Sequence, residues 1–322
     1  MMSEAPRLPA RDPRGHKGTF GAVAVVGGCA HEPDERGLDG LRMLGGPCFS
    51  AVAALRSGCG LARLAVPRTL VDHALAVAPG ATGLAMAVDE AGRLVGHLGA
   101  AVIDGLVKQS NALIVGPGMG TSEGAEAVVI RAAGQDQTPL VLDADGLNNL
   151  AGIAEFWRDF RAAAVLTPHP GEFARLAKAL SIGADAKNER ERAAGADELA
   201  RKLGCVVVLK GASTIVTDGH RAWTHDHPNP ALGTAGTGDV LSGVIGGLIA
   251  QHHRKPVIAG ERTVTSEKLG GLSLFDCARA GVAAHSEAAR RWTERMKVSG
   301  GLLATDLLEE IPAAVEQLRH KT

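Results

Sequence analysis

Residues 235–249 read AGTGDVLSGVIGGLI, a glycine-rich turn that leads directly into an apolar helical pattern. The apolar side chains recur at helical spacing, as Val240, Leu241, Val244, Ile245, Leu248 and Ile249. Small residues let backbone N–H groups approach an anion closely, and the start of a helix adds partial positive charge. The stretch therefore predicts a phosphate-binding turn at the start of a buried helix.

Asp239 lies at the mouth of this helix and is open to two interpretations. A carboxylate there can be an N-terminal helix cap that stabilises by about 1 kcal/mol. In an isolated Gly-Thr-Gly-Asp the cap is the favoured interpretation. The motifs elsewhere in the chain shift the balance towards a functional carboxylate.

Short aliphatic runs without polar alternation indicate strands that are buried on both faces, at residues 22–26, 113–115, 140–142, 163–166 and 205–209. Helical patterns lie among them at residues 49–57, 122–133, 171–180 and 188–203, and a further one at 302–318. This alternation predicts a doubly wound α/β fold with a mostly parallel central sheet and helices on both faces. Residues 213–216 and 221–224 flank Asp218-Gly219, which favours an antiparallel hairpin beside that sheet.

The chain of 322 residues is long enough for one large α/β domain, which we expect over residues 15–322 after a flexible N-terminal arm at 1–14. Residues 31–44 and 252–271 are expected to be surface loops. We expect no second domain before the first strand, because only about 20 residues precede it. A net charge of −1 and 3% aromatic residues argue against nucleic-acid or membrane binding. Five widely spaced cysteines favour reduced thiols in a cytoplasm.

Polar motifs follow several predicted strands. Lys210 closes one strand and could place a point charge on a phosphate, although a single lysine there is usually just solvated. In TPHPGE (167–172) two prolines hold His169 in a stiff loop that suggests a ligand contact, whereas Glu172 could be only a favourable first-turn acid. In DADG (143–146), Asp145 could equally be a helix cap or face a Mg²⁺ ion.

Seven motifs in order resemble the ADP- or ATP-dependent NAD(P)H-hydrate dehydratases, also called the YjeF C-terminal or carbohydrate-kinase-like family. They are HKGTFG (16–21), AALRSG (53–58), GPG (116–118), LDADGLN (142–148), LTPHPGE (166–172), LKGA (209–212) and AGTGDVL (235–241). The resemblance spans residues 16 to about 291. It implies a ribokinase-like three-layer fold and a hydro-lyase that converts the S-epimer of hydrated NAD(P)H, NADHX or NADPHX, to NAD(P)H, giving AMP and phosphate.

The resemblance also implies roles for particular residues. Asp239 would be the general base, and the substrate would be bound by Gly46, Gly118, His169 and Asp239. The adenine nucleotide would be bound by Lys210, Gly211, Ala212, Ser213, Thr214, Gly236, Thr237 and Gly238. The implied co-substrate is ADP, with ATP as the alternative donor. Phosphoryl transfer leads us to expect Mg²⁺, with ligands that the sequence does not name. A homo-oligomer, often a tetramer, and a separate epimerase partner are also implied.

The chain departs from the family pattern in three places. Gly46 stands where alanine is common, residues 229–234 read NPALGT instead of NPGMAT, and the segments 31–44 and 252–271 are longer. These differences affect the substrate side more than the nucleotide side.

Two other functions are compatible with a Gly-Thr-Gly-Asp turn in this fold. One is a small-molecule kinase of the same superfamily, acting on a vitamin precursor such as hydroxymethylpyrimidine or hydroxyethylthiazole. The other is a non-catalytic nucleotide-binding module. A dinucleotide-binding dehydrogenase is disfavoured, because no GxGxxG with an acid about 20 residues further on follows the first strand.

Overall fold

The computed structural model describes residues 5–32, 40–255, 257–259 and 262–320. The strands of this part of the chain are β1 (Ala22–Val26), β2 (Cys29–Glu32), β3 (Leu41–Met43), β4 (Leu61–Pro67), β5 (Thr82–Met86), β6 (Ala112–Val115), β7 (Leu140–Leu142), β8 (Ala164–Leu166), β9 (Val206–Leu209), β10 (Ser213–Thr217), β11 (Ala222–Asp226), β12 (Val257–Ala259) and β13 (Arg262–Val264). The α-helices are α1 (Gly45–Arg56), α2 (Val71–Val77), α3 (Gly96–Gln109), α4 (Glu123–Gly134), α5 (Asp145–Gly152), α6 (Pro170–Ala179), α7 (Arg192–Leu203), α8 (Thr237–His252), α9 (Leu274–Met296) and α10 (Ala304–His320).

A nine-stranded sheet forms the centre of the molecule, in the order β11-β10-β9-β8-β7-β6-β1-β4-β5. The strands from β9 to β5 in this order are parallel, whereas β10 runs antiparallel to β9 and β11 antiparallel to β10. The mostly parallel sheet and the edge hairpin are therefore confirmed.

Helices cover both faces of this sheet. Side chains of a strand alternate between faces, so Val23 and Val25 of β1 join a core with α1, α8, α9 and α10. Ala24 and Val26 join a second core with α3 to α7 on the opposite face. This is the predicted three-layer arrangement. None of the described helices combines the length and the apolar character needed to cross a membrane.

The carboxyl ends of the parallel strands bring the predicted motifs to one edge of the sheet. Gly27 follows β1, Gly116 follows β6, Asp143 follows β7, Thr167 follows β8 and Lys210 follows β9. Ligands of open α/β sheets bind at this edge. The sheet therefore gathers residues that are up to about 180 positions apart in the chain.

Strands β4 and β5 extend the sheet beyond the five parallel strands expected from the sequence. β4 carries Arg63, whose guanidinium donates to the carbonyl of Gln109 at 2.8 Å, and this charge interrupts an apolar run. β5 is an edge strand whose residues are mostly not buried. Neither segment has the uninterrupted aliphatic pattern of a doubly buried strand.

Two segments expected to be surface loops contain paired strands instead. β2 pairs with β3 in the first, although residues 33–39 lie outside the described residues. In the second, α8 continues to His252, β12 pairs with β13, and residues 256, 260 and 261 are not described. The backbone bonds of such short hairpins need no apolar periodicity, so the sequence pattern did not predict them.

The N-terminal segment, expected to be a flexible arm, contacts the domain from Arg7 to Arg11. Leu8 is buried and its N–H donates to the carbonyl of Leu318 in α10 at 3.0 Å. Arg11 donates to the carbonyl of Gly58 at 2.7 Å. Residues 7–11 are therefore anchored to the domain rather than free in solvent.

Candidate active site

The glycine-rich turn enters α8 through Gly236, whose φ of 90° lies in the left-handed region that favours glycine. The hydroxyl of Thr237 lies 2.8 Å from two acceptors, the carbonyls of Leu232 and Thr234, so this side chain closes the loop. The N-cap supplies no side-chain hydrogen bond, and the first N–H groups of a helix have no intrahelical partner. The turn therefore offers backbone donors to an anion.

Asp239 lies in the first turn of α8, next to the two glycines assigned to the substrate. Its own carbonyl accepts a hydrogen bond from the Ser50 hydroxyl at 2.9 Å, which ties α8 to α1. A methyl group at Gly46 would lie 3.1 Å from Asp239 Oδ1 and 3.3 Å from the nitrogen of Gly118. Gly46, Gly118 and Asp239 therefore meet at one point.

The environment of Asp239 makes its carboxyl unusually basic. Burial and the nearby charge of Asp143 raise its pKa to about 7, and the attraction of Lys210 only partly opposes this shift. A general base is most effective when its pKa lies close to the working pH. Asp239 is therefore suited to accept a proton near neutrality.

Lys210 joins the turn after β9 to two carboxylates. Its Nζ lies 2.9 Å from Asp143 Oδ1 and 3.8 Å from Glu172 Oε2. Burial opposes the positive charge, but the two carboxylates outweigh burial and raise the lysine pKa above its ordinary value. A methyl group at Gly238 would lie 3.5 Å from Nζ. A permanent cation therefore lies beside the glycine-rich turn.

The TPHPGE loop is held by a reciprocal cap at the start of α6. His169 Nδ1 accepts hydrogen bonds from the N–H groups of Gly171 at 2.9 Å and Glu172 at 3.3 Å. Glu172 Oε2 accepts from the N–H of His169 at 2.7 Å. Glu172 is therefore the first-turn acid that the sequence suggested, and it also lies near Lys210, which the sequence did not suggest. Half of the His169 side chain, 52%, is exposed and can reach a ligand.

Arg192, which the sequence did not single out, holds the turn after β9 in place. One guanidinium nitrogen donates to the carbonyls of Lys210 at 3.2 Å and Ser213 at 3.0 Å. A methyl group at Gly211 would lie 2.4 Å from that nitrogen, so only glycine fits beneath the guanidinium. In the sequence Arg192 resembles a charged residue on a helix surface, and only its partners show that it is buried.

A cavity of about 480 Å³ opens beside Lys210 and the start of α8. Its walls include six of the residues predicted to bind nucleotide, namely Lys210, Gly211, Ala212, Thr214, Thr237 and Gly238. Ser213 and Gly236 are not among its lining residues, and the Ser213 hydroxyl donates to Asp226 in the β10–β11 hairpin. A larger cavity, about 670 Å³, shares residues 225 and 227–229 with it but contains no predicted site residue.

A model of the NAD(P)H-hydrate dehydratase family matches residues 38–313. The chain belongs to this family. It is 33% identical, over its whole length and 94% of the relative, to the ADP-dependent (S)-NAD(P)H-hydrate dehydratase of Neisseria meningitidis. It is also 35% identical, over 96% of its length, to the bifunctional NAD(P)H-hydrate repair enzyme Nnr of Coxiella burnetii. The chain spans about half the length of such bifunctional relatives, 53% in this case.

The fold of this NAD(P)H-hydrate dehydratase family member also matches a solved structure. The ADP/ATP-dependent NAD(P)H-hydrate dehydratase from Bacillus subtilis, co-crystallised with ATP and Mg²⁺, superimposes with a TM-score of 0.72 at 25% identity. The match covers 97% of this chain and 95% of that one. The ribokinase-like architecture expected from the sequence is therefore confirmed.

Asp145 does not cap α5 in this family member, since Ala144 is the N-cap residue. Its carboxylate instead accepts hydrogen bonds from the N–H of Gly120 at 3.0 Å and from Asn148 Nδ2 at 3.1 Å. Across the described residues, no group of three or more His, Cys, Asp or Glu side chains could hold a metal ion. The expected Mg²⁺ thus has no preformed cage in that part of the chain.

Proposed function

We propose that this protein dehydrates the S-epimer of hydrated NAD(P)H to NAD(P)H. ADP is the phosphoryl donor, and AMP and phosphate are released. The observation that carries the proposal is the position of Asp239. Its carboxyl, with a pKa of about 7, lies beside Gly46 and Gly118. Asp239 also stands in the first turn of α8, directly after Gly238, and the Lys210 ammonium lies beside that glycine.

The first step is phosphoryl transfer to the substrate. Asp239 takes the proton from the ring hydroxyl of the hydrate, and the hydroxyl oxygen attacks the terminal phosphorus of ADP. The new O–P bond forms as the bond to the α-phosphate breaks, and AMP leaves. Lys210 and the backbone N–H groups of Gly238 and Asp239 stabilise the charge that develops on the phosphoryl oxygens.

The second step expels phosphate from the phosphorylated intermediate. The carbon that carries the phosphate neighbours the ring nitrogen, whose lone pair displaces the C–O bond electrons onto the leaving phosphate. Loss of a proton from the adjacent ring carbon then restores the conjugated dihydropyridine. The water of hydration therefore leaves as an oxygen atom of inorganic phosphate, and a kinase differs only in stopping after the first step.

The cavity of about 480 Å³ is the proposed nucleotide site. The names of two relatives support ADP as the donor, with ATP as the alternative. Mg²⁺ commonly binds through substrate phosphates and keeps several waters. We therefore expect it to enter with the nucleotide, which fits a site whose carboxylate Asp143 is already paired with Lys210.

The remaining expectations concern the cellular setting. We propose a cytoplasmic location, because five widely spaced cysteines suit a reducing compartment. We propose a homo-oligomer, a tetramer in the first instance, because the family resemblance implies one. We also propose that a separate epimerase supplies the S-epimer, because the relatives named bifunctional NAD(P)H-hydrate repair enzymes indicate a second activity in the same repair.

The test is to incubate the purified protein with chemically hydrated NADH and ADP, ATP or no nucleotide, and to follow the absorbance of reduced nicotinamide. A rise that requires ADP supports the proposal and identifies the donor. Phosphorylation of a vitamin precursor without any rise would favour the kinase alternative. Nucleotide binding without either reaction would favour the non-catalytic module.

A further inference from the structure

His285 reaches from α9 to the glycine-rich turn of α8. Its Nε2 lies 2.8 Å from the carbonyl oxygen of Thr237, a residue 48 positions earlier in the chain. Both residues are buried, and both line the cavity together with Gly238 and Lys210. The ring therefore contacts the backbone at the point where the proposed nucleotide site begins.

The hydrogen bond fixes the protonation of the ring. A carbonyl oxygen can only accept, so Nε2 must carry the proton that it donates. Burial lowers the pKa of His285 to about 4, and the bond to Thr237 only partly offsets this. The imidazole is therefore neutral at physiological pH, with its proton on Nε2.

The carbonyl that accepts this hydrogen bond belongs to the peptide group between Thr237 and Gly238, and the other end of that group is an N–H donor. The carbonyl of Thr237 and the N–H of Gly238 share one planar peptide group, and in a trans peptide they point in opposite directions. Fixing the direction of the carbonyl therefore fixes the direction of the N–H. Donation to the carbonyl also polarises the peptide, which makes the N–H a stronger donor.

We propose that His285 is a positioning residue for the adenine nucleotide: it holds the Thr237–Gly238 peptide so that the N–H of Gly238 points at a nucleotide phosphate. This inference rests on the proposed function for the identity of the ligand. Glycines on both sides of Thr237 leave the turn few steric restraints. The hydrogen bond from His285 of α9 therefore limits the orientations that this peptide group can adopt.

The experiment compares two substitutions at His285 with one control. His285→Phe keeps an aromatic ring but cannot donate, whereas His285→Gln keeps an N–H donor. His253→Phe removes a matched imidazole–carbonyl contact, from Nδ1 to the carbonyl of Leu272 at 2.9 Å, far from the cavity. ADP affinity is measured by calorimetry, and the KM values for ADP and hydrated NADH by the absorbance assay.

We expect His285→Phe to raise the Kd and KM for ADP about tenfold, because a hydrogen bond to a charged group is weakened. The KM for hydrated NADH should change less than twofold. His285→Gln should stay within about threefold of the wild type, and His253→Phe should lower the melting temperature without changing ADP affinity.

Unchanged ADP affinity in His285→Phe would overturn the inference, and so would equal losses in the Phe and Gln variants or in His253→Phe. A wild type that does not bind ADP would overturn it too. A wild type that binds ADP in a His285-dependent way but dehydrates nothing would defeat only the proposed function.

Discussion

Replacing Asp239 by asparagine should slow the enzyme and stabilise the fold at the same time. Asparagine keeps the shape of the side chain but cannot accept the proton, so turnover should fall about 10²- to 10⁴-fold while ADP still binds. In the wild type, kcat/KM should fall as the pH drops below about 7, because Asp239 becomes protonated. The residual activity of Asp239→Asn should not show this decrease in kcat/KM at low pH.

The effect on stability follows from the raised pKa of Asp239. Between its ordinary value of 3.8 and about 7, the folded protein holds a proton that the unfolded chain has lost, so wild-type stability falls as the pH rises through this range. A shift of this size corresponds to at most about 4 kcal/mol. Solvent at the cavity mouth reduces the effect, so we expect about 1–3 kcal/mol.

Thermal unfolding at two pH values measures this gain. At pH 8, Asp239→Asn should melt about 2–6 °C above the wild type, and at pH 4 the two should melt together. Asp197→Asn is the control, since that carboxylate bonds the Thr217 hydroxyl outside the site and turnover should not change. Unchanged turnover in Asp239→Asn, or equal melting temperatures at pH 8, would refute the assignment.

Three further substitutions test the nucleotide side of the site. Lys210→Met should abolish ADP binding. It should also lower the free energy of unfolding in urea by about 3–5 kcal/mol, since Asp143 would remain buried without its partner. Adding Asp143→Asn should restore stability but not ADP binding. Gly211→Ala should displace the Arg192 guanidinium and weaken ADP binding about tenfold by calorimetry, with the KM for hydrated NADH unchanged. Thr237→Val should cost about 1–3 kcal/mol in urea unfolding, because two loop carbonyls lose a donor. Wild-type values in any of these assays would contradict the corresponding contact.

The central part of the fold could be predicted because its strands are buried on both faces. β1, β6 and β7 are short aliphatic runs that end in glycine or aspartate, and the structure confirms all three. β4 and β5 escaped prediction because an arginine interrupts one and the other is a partly exposed edge. Burial on both faces and an uninterrupted aliphatic pattern, rather than strand length, separated the predicted strands from the missed ones.

The candidate site was predictable where its residues follow strands and unpredictable where they bond to remote backbone. Lys210 could be located because the carboxyl ends of parallel strands meet at one edge, and Asp239 because a glycine-rich turn leads into a helix there. Arg192 and His285 act on carbonyls that only the fold brings near them. A polar residue such as His285 within an alanine-rich helix was the one signal in the sequence that could have indicated such a contact.

The route of one oxygen atom tests the account most directly. Hydrated NADH labelled with ¹⁸O in its ring hydroxyl is converted with ADP, and the products are analysed by mass spectrometry. If Asp239 drives attack of this hydroxyl on the terminal phosphorus, the label must appear in inorganic phosphate. Label released as water would contradict the proposed phosphorylated intermediate.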